Sequence, residues 1–168
     1  TPHQLFEHQT ISAQAGVVQE LETTLSNADA ATGEVALSSI QRAFLQQDHA
    51  DPHHFNQGVL LVIMPSLDFT RLSQAIQQMV EIHDVFRLRY AREPSGVWRQ
   101  WFASDVGTIV VEDIDLRDAE NFEVRLAKEL SVRQTEFDLS HGPLFRAARF
   151  QGPKGQDRLM LLAHHLIV

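Results

Sequence analysis

From residue 37 onward, the sequence alternates between short apolar runs and two longer amphipathic stretches. Leu67 to His83 carries apolar residues at helical spacing, and Asp118 to Phe137 repeats that pattern. Several runs of strand length accompany them, of which Gly58 to Met64 (GVLLVIM) is apolar throughout. A continuous apolar run of this length is typical of a strand buried on both faces. The alternation predicts an α/β fold.

Two pairs of these strands are joined by short turns, and this decides what kind of sheet they form. FRLRYAR (86–92) and VWRQWF flank a Glu-Pro-Ser-Gly turn, and LFRAARF and RLMLLAHH flank GPKG. Consecutive hairpins pair antiparallel, so we predict a mixed sheet of about six strands with helices packed on it. Apolar and basic residues alternate in FRLRYAR, which predicts a strand with one face in water.

The first part of the chain differs in composition from the rest. Residues 1–25 carry apolar side chains at roughly helical spacing and open with Thr-Pro, a pair that suits a helix start. Residues 26–36 (SNADAATGEVA) are mostly small and polar, which predicts a linker. We therefore divide the chain into a helical piece over 1–25, a linker over 26–36 and an α/β body over 37–168.

Composition argues against several classes of function. The formal net charge is −8 and no Lys/Arg block is present, so we expect no nucleic-acid partner. The chain has no cysteine, which excludes disulfides and thiolate metal sites. No apolar run approaches the roughly 20 residues of a membrane helix, and no signal-peptide or phosphate-loop pattern is visible. We expect a cytoplasmic protein with no membrane partner.

Three histidines, His49, His53 and His54, cluster in the loop DHADPHHFNQ. Imidazole is a common metal ligand, but no acidic or histidine partner stands at helical i, i+4 spacing to these residues. We therefore favour solvated or loop-anchoring histidines over a ligand set, and we predict no metal site.

The sequence LMLLAHHLIV places His164 and His165 side by side after an apolar run. Neighbouring side chains on a strand point to opposite faces, so the two rings cannot serve one site on one face. An unpaired buried polar ring costs about 1–3 kcal/mol, so we expect one ring to be hydrogen-bonded in the core and the other to face a cleft. On the residues alone, a catalytic histidine and a satisfied core histidine both stay open.

The same stretch resembles the start of HHxxxDG, the core motif of the condensation superfamily of nonribosomal peptide synthetases. His164 to Val168 fill HHxxx, and the closing Asp-Gly would be the next two residues. Four further stretches resemble family motifs in the right order over residues 34–168: LSSIQRAFLQQ, HHFNQGVLL, LDFTRLSQAIQQMVEIHDVFRLRY and FDLSHGPLFRA.

Within the superfamily, SSIQRAFLQQ, PHHFNQ and HDVFRLRY are most similar to epimerization domains. The segment TPHQLFEHQTISAQAG resembles the last helices of a peptidyl carrier domain, which such a domain follows directly. The resemblance implies a chloramphenicol acetyltransferase-like lobe over 37–168, preceded by the carrier's C-terminal helix. The second lobe of the domain would lie outside this chain.

The resemblance also implies a reaction and a site. The reaction is L-to-D epimerization at the α-carbon of an aminoacyl or peptidyl thioester carried on 4′-phosphopantetheine. His165 would be the catalytic ring, His164 the packed one, and Arg87 the structural partner of the motif aspartate. The chain would bind no cofactor directly, because the attachment serine belongs to the upstream carrier. Since the family's partner glutamate lies in the second lobe, we expect the chain alone to be inactive.

Other interpretations stay open at this point. A condensation domain would instead form the peptide bond between two carrier-bound substrates, and a further condensation domain could follow downstream. A degenerate lobe would only dock carriers, and a more distant possibility is an acyltransferase outside peptide synthesis. Arg87 could equally be a solvated strand arginine.

Overall fold

The computed structural model describes residues 30–47, 49–64, 67–105 and 109–168. The predicted carrier helix over 1–25 and the first residues of the predicted linker lie outside them. The chain divides into two compact units, residues 1–30 and 31–168, and the second contains the described fold. In chain order its elements are β1 (Gly33–Val35), α1 (Ser39–Leu45), β2 (Asn56–Val62), α2 (Phe69–Ile82), β3 (Leu88–Arg92), β4 (Trp98–Phe102), β5 (Val111–Asp115), α3 (Phe122–Gln134), β6 (Phe145–Gln151) and β7 (Arg158–His164).

The predicted α/β fold with mixed pairing is confirmed, but the seven described strands form two sheets and not the single sheet of about six strands that was predicted. The smaller sheet has the order β1-β4-β3 and is antiparallel. The larger has the order β2-β7-β6-β5, in which β5 and β6 are parallel and the other pairs antiparallel. Helix α3 connects the parallel pair, as a crossover must. Both predicted hairpins, β3–β4 and β6–β7, are present.

Side-chain caps set where the helices begin. Asp68 caps α2 by accepting a hydrogen bond from the Arg71 backbone N–H at 2.9 Å. Ser38 and Gln41 form a reciprocal capping box at α1. Asn121 caps α3, which therefore starts several residues later than the predicted Asp118. Among the described residues, no helix is long and apolar enough to cross a bilayer.

Two apolar clusters form the core. The first is built around Val80, Tyr90 and Leu144, and the second around Leu126 and Phe150. Strand β7 contributes to both, because its alternate residues point to opposite sides of the larger sheet. Ala163 joins the first cluster, whereas Met160 and Leu162 join the second. The strand that ends at the two histidines is thus held on both faces.

Strand β1 corrects the last part of the predicted linker over 26–36. Gly33–Val35 pairs with β4, and the Glu34 carboxylate forms an ion pair with the Arg99 guanidinium. Val35 packs against the first apolar cluster. Small and polar residues predicted a loop here. The strand forms because its backbone pairs with β4 and because Val35 packs against the first apolar cluster.

Strand β2 has the predicted secondary structure but not the predicted burial on both faces. It is one of the two edge strands of the larger sheet, and its apolar side chains are exposed in the described part of the chain. Val59 and Leu61 are 51% and 44% exposed, and Val62 is 76% exposed. An apolar run fixes a preference for burial, whereas burial itself needs a second layer over the strand.

The prediction of a wet face for FRLRYAR is also wrong. Arg87 and Arg89 are only 7% and 5% exposed. Arg89 donates to backbone carbonyl oxygens of His141, Phe86 and Leu88 at 2.8–3.1 Å. Burial lowers the pKa of the Arg89 guanidinium. Backbone carbonyl oxygens can satisfy a buried guanidinium, so the alternating pattern could not distinguish this environment from solvent.

Candidate functional site

The two adjacent histidines lie where β7 gives way to a 3₁₀ turn, His165–Ile167. The turn is fixed from two sides. The His165 backbone N–H donates to the Phe55 carbonyl oxygen at 2.7 Å. The Leu166 carbonyl oxygen accepts from the Tyr90 hydroxyl at 2.9 Å and from Gln41 Nε2 at 3.1 Å. The position of the turn is therefore determined by β3, α1 and the residue that precedes β2.

The His164 ring is fully buried, and both of its nitrogens are hydrogen-bonded. Its Nε2 lies 2.9 Å from the Pro52 carbonyl oxygen, and its Nδ1 lies 3.2 Å from the Leu166 backbone nitrogen. A carbonyl oxygen only accepts and a backbone N–H only donates, so the proton is on Nε2 and Nδ1 is the acceptor. The ring is held as one neutral tautomer.

The surroundings of His164 also oppose its protonation. Burial lowers the pKa of the ring to about 4, and the neighbouring His53 and His165 act in the same direction, while the bond to the Pro52 carbonyl opposes them. No ring nitrogen is left over for a substrate. His164 thus has the geometry of a packed, hydrogen-bonded residue.

The His165 ring is exposed, in contrast to its neighbour. One face stacks on Phe55, with ring centroids 4.8 Å apart and an interplanar angle of 15°. Within the described part of the chain, neither of its ring nitrogens forms a hydrogen bond. The expected difference in burial between the two rings is present, but His165 lies in the 3₁₀ turn and not on the strand from which that difference was argued.

Arg87 is buried away from solvent, so a solvated arginine is excluded. Its guanidinium donates to the Asp84 carboxylate at 2.5 Å and to the carbonyl oxygens of Ala31 and Ala103 at 2.6 and 2.9 Å. It also lies over the Phe102 ring at 5.6 Å. These bonds join the residues around β1 and β4 to the turn before β3. They do not bring Arg87 to either histidine, and its pairing with a motif aspartate stays a prediction.

The loop histidines anchor the loop before β2, as the sequence favoured. His53 Nδ1 accepts from the Leu139 backbone N–H at 3.1 Å, and His49 Nε2 lies 3.0 Å from the Phe44 carbonyl oxygen. His54 is exposed. Over the described ranges, no three His, Asp or Glu side chains are arranged to hold a metal ion.

Sequence reasoning missed Phe55 and the Pro52 carbonyl as parts of this site. Both become neighbours of the histidines because β2 pairs with β7 in the register that places Asn56 opposite His164. That pairing joins segments about a hundred residues apart, and no local pattern specifies it. A usable signal was the single aromatic residue in HHFNQ at the start of a strand.

The geometry supports proton transfer better than nucleophilic or metal chemistry. An imidazole can take up and return a proton near neutral pH, and His165 presents such a ring to solvent. The neighbouring ring is locked in its neutral form and fixes the backbone that carries His165. The arrangement is therefore one exposed imidazole on a rigid support.

Known proteins resemble this chain in sequence and in fold. The Condensation domain family matches residues 31–168. A component of the linear gramicidin synthase of Brevibacillus parabrevis is 37% identical over 172 residues, which covers 100% of this chain and 3% of that protein. This chain therefore spans only a small part of that relative.

Solved structures share the fold. The epimerization domain from the third module of tyrocidine synthetase B is 35% identical, with a TM-score of 0.73 over 80% of this chain and 30% of that one. The first condensation domain of the CDA synthetase shares the fold at 21% identity, with a TM-score of 0.65 over 79% of this chain and 36% of that one. The chain has the chloramphenicol acetyltransferase-like lobe of these domains, and it belongs to the condensation domain family of nonribosomal peptide synthetases.

Proposed function

We propose that this chain is part of an epimerization domain that converts L to D at the α-carbon of a carrier-bound aminoacyl or peptidyl thioester. The observation that carries the proposal is the exposed His165 ring beside a neighbour held neutral by two hydrogen bonds. The 35% identity to a solved epimerization domain, against 21% to a condensation domain, favours this reaction within the family.

In the proposed reaction, His165 removes the α-proton. The Cα–H bond breaks, its electron pair moves into the thioester carbonyl to give an enolate, and the proton moves to an imidazole nitrogen. A second group, outside this chain, then returns a proton to the opposite face of the α-carbon. The same two groups serve the reverse direction with their roles exchanged.

The 4′-phosphopantetheine arm belongs to the carrier and would deliver the thioester to the ring. Exposure of His165 fits such delivery, because a group on a flexible arm has to approach from solvent. No residue of this chain is proposed to bind the arm covalently. The relatives are long peptide synthetase polypeptides, which supports a carrier domain in the same polypeptide as the partner.

The test uses the full-length protein with its carrier loaded with an L-aminoacyl thioester in D₂O. We expect deuterium at the α-carbon and formation of the D-isomer, measured by mass spectrometry and chiral chromatography of the released amino acid. His165→Ala should lower the exchange rate by a factor of about 10²–10⁴, the usual contribution of a general base. His83→Ala, an exposed histidine at the end of α2, is the matched control and should leave the rate unchanged.

Other results would assign a different function. Amide formation between two loaded carriers without α-deuterium would identify a condensation domain. Unchanged turnover in His165→Ala would identify a lobe that only docks carriers.

A further inference from the structure

Four aromatic rings stack face to face in one row that ends at His165. The ring centroids of His49 and Phe44 are 4.2 Å apart, those of Phe44 and Phe55 are 4.4 Å apart, and those of Phe55 and His165 are 4.8 Å apart. The interplanar angles are 24°, 20° and 15° in the same order. We call these four rings the aromatic stack. Its planes are nearly parallel from helix α1 to the turn after β7.

The inner end of the aromatic stack is anchored. Phe44 belongs to α1 and packs against the first apolar cluster, and its carbonyl oxygen is bonded to the His49 ring. Phe44 and Phe55 also meet the buried His164 ring edge-on, at 6.3 and 6.5 Å. Phe44 and Phe55 thus contact the buried His164 ring edge-on, and Phe55 contacts the exposed His165 ring face to face.

Phe55 holds His165 in two independent ways. Its carbonyl oxygen accepts the His165 backbone N–H, and its ring covers one face of the imidazole. An exposed histidine without such a partner exchanges among rotamers, which lowers the fraction of time spent in any one orientation. Face-to-face stacking restricts the ring plane, and it leaves the nitrogen-bearing edge available because stacking uses only the face.

We propose that Phe55 is a positioning residue for His165, setting the plane in which the imidazole meets its substrate. The part of this inference that concerns turnover rests on the proposed function. The exposure of Phe55 is consistent with this role, because 42% of its surface lies in solvent where it contributes little to the core.

The first test compares turnover of full-length variants. Phe55→Leu keeps the backbone carbonyl and the apolar bulk but removes the ring, and Phe55→Trp restores a stacking face. We expect kcat for α-proton exchange to fall about tenfold in Phe55→Leu with KM within about twofold, because orientation affects the chemical step more than binding. Phe55→Trp should recover most of kcat. Phe69→Leu removes a ring that stacks on Arg149 instead, and it should leave kcat unchanged.

The second test observes His165 directly by NMR in the 168-residue chain. Stacking on Phe55 should shift the His165 ring protons upfield, and this shift should disappear in Phe55→Leu and persist in Phe55→Trp. Phe69→Leu should leave it in place. If Phe55→Leu does not fold, Phe55→Met is the variant without a ring.

The outcomes separate the two proposals. Unchanged His165 ring shifts in the ringless variant would overturn the positioning role, and so would an unchanged kcat in that variant. If the wild-type protein shows no α-proton exchange while the ring shifts respond as expected, the stack is real and the proposed reaction is wrong.

Discussion

Strands β2 and β7 are hydrogen-bonded neighbours of seven residues each, and both are rich in leucine and other apolar residues. Leu159 and Leu162 in β7 are 6% and 4% exposed, whereas Leu61 and Val62 in β2 are 44% and 76% exposed. The difference comes from position, since β7 lies inside the sheet with apolar clusters on both faces and β2 lies at its edge. Similar sequences therefore make unequal contributions to stability.

The strongest test of this difference between β7 and β2 is to replace one leucine in each strand with alanine. Leu159 and Leu61 face each other across the ladder in register. Leu159→Ala should lower the free energy of unfolding by about 2–5 kcal/mol, because it leaves a cavity, and Leu61→Ala by less than about 1 kcal/mol. Urea unfolding followed by circular dichroism measures both. Equal losses would mean that β2 is as well covered in solution as β7.

The end of β7 offers a second test through pH. The pKa of His164 is lowered from 6.5 to about 4, so the unfolded chain binds more protons than the folded one between those values. The contribution of His164 is fully present above pH 6.5 and is lost as the pH falls to about 4. It amounts to about 3 kcal/mol at most.

The control for that test is His164→Gln, which keeps an amide that can donate to the Pro52 carbonyl but does not titrate. Its unfolding free energy should change less between pH 4 and pH 6.5 than that of the wild type, measured by urea unfolding across this range. Parallel pH curves for the two proteins would show that the ring is not buried as a neutral group.

The smallest expected change in stability comes from placing a charge on the exposed edge strand β2. An uncovered apolar edge strand is a template for pairing with another chain, and a charge on it opposes this. Val62→Glu places a carboxylate opposite Arg158, so stability should change by less than about 0.5 kcal/mol. Self-association in sedimentation velocity should nevertheless decrease relative to Val62→Thr, which is uncharged. Equal association of the two variants would show that β2 is not the contact surface.

Local sequence patterns predicted the element types well. The helical spacing before His83 and both hairpin turns act over a few residues, and each is present in the fold. The opposite burial of His164 and His165 was expected from strand alternation, but its physical basis differs, because β7 ends at His164 and His165 lies in the 3₁₀ turn that follows.

Features that depend on distant partners were not predictable. Strand β1 exists because β4 offers a backbone edge, and the guanidinium of Arg89 donates to the carbonyl oxygen of His141, which is 52 residues away in the chain. The stacking of Phe55 on His165 joins residues far apart in the chain. Such contacts arise from register and packing, which composition and periodicity do not encode.

The side-chain amide of Gln41 limits how the turn that carries His165 can move. Its Oε1 closes the capping box of α1, and its Nε2 bonds both the Tyr90 hydroxyl and the Leu166 carbonyl oxygen. One amide therefore links the start of a helix, a strand of the smaller sheet and the turn that carries His165. Displacement of the turn alone would break the hydrogen bonds of the Leu166 carbonyl oxygen to Gln41 and Tyr90, so a change in the position of His165 is coupled to α1 and β3.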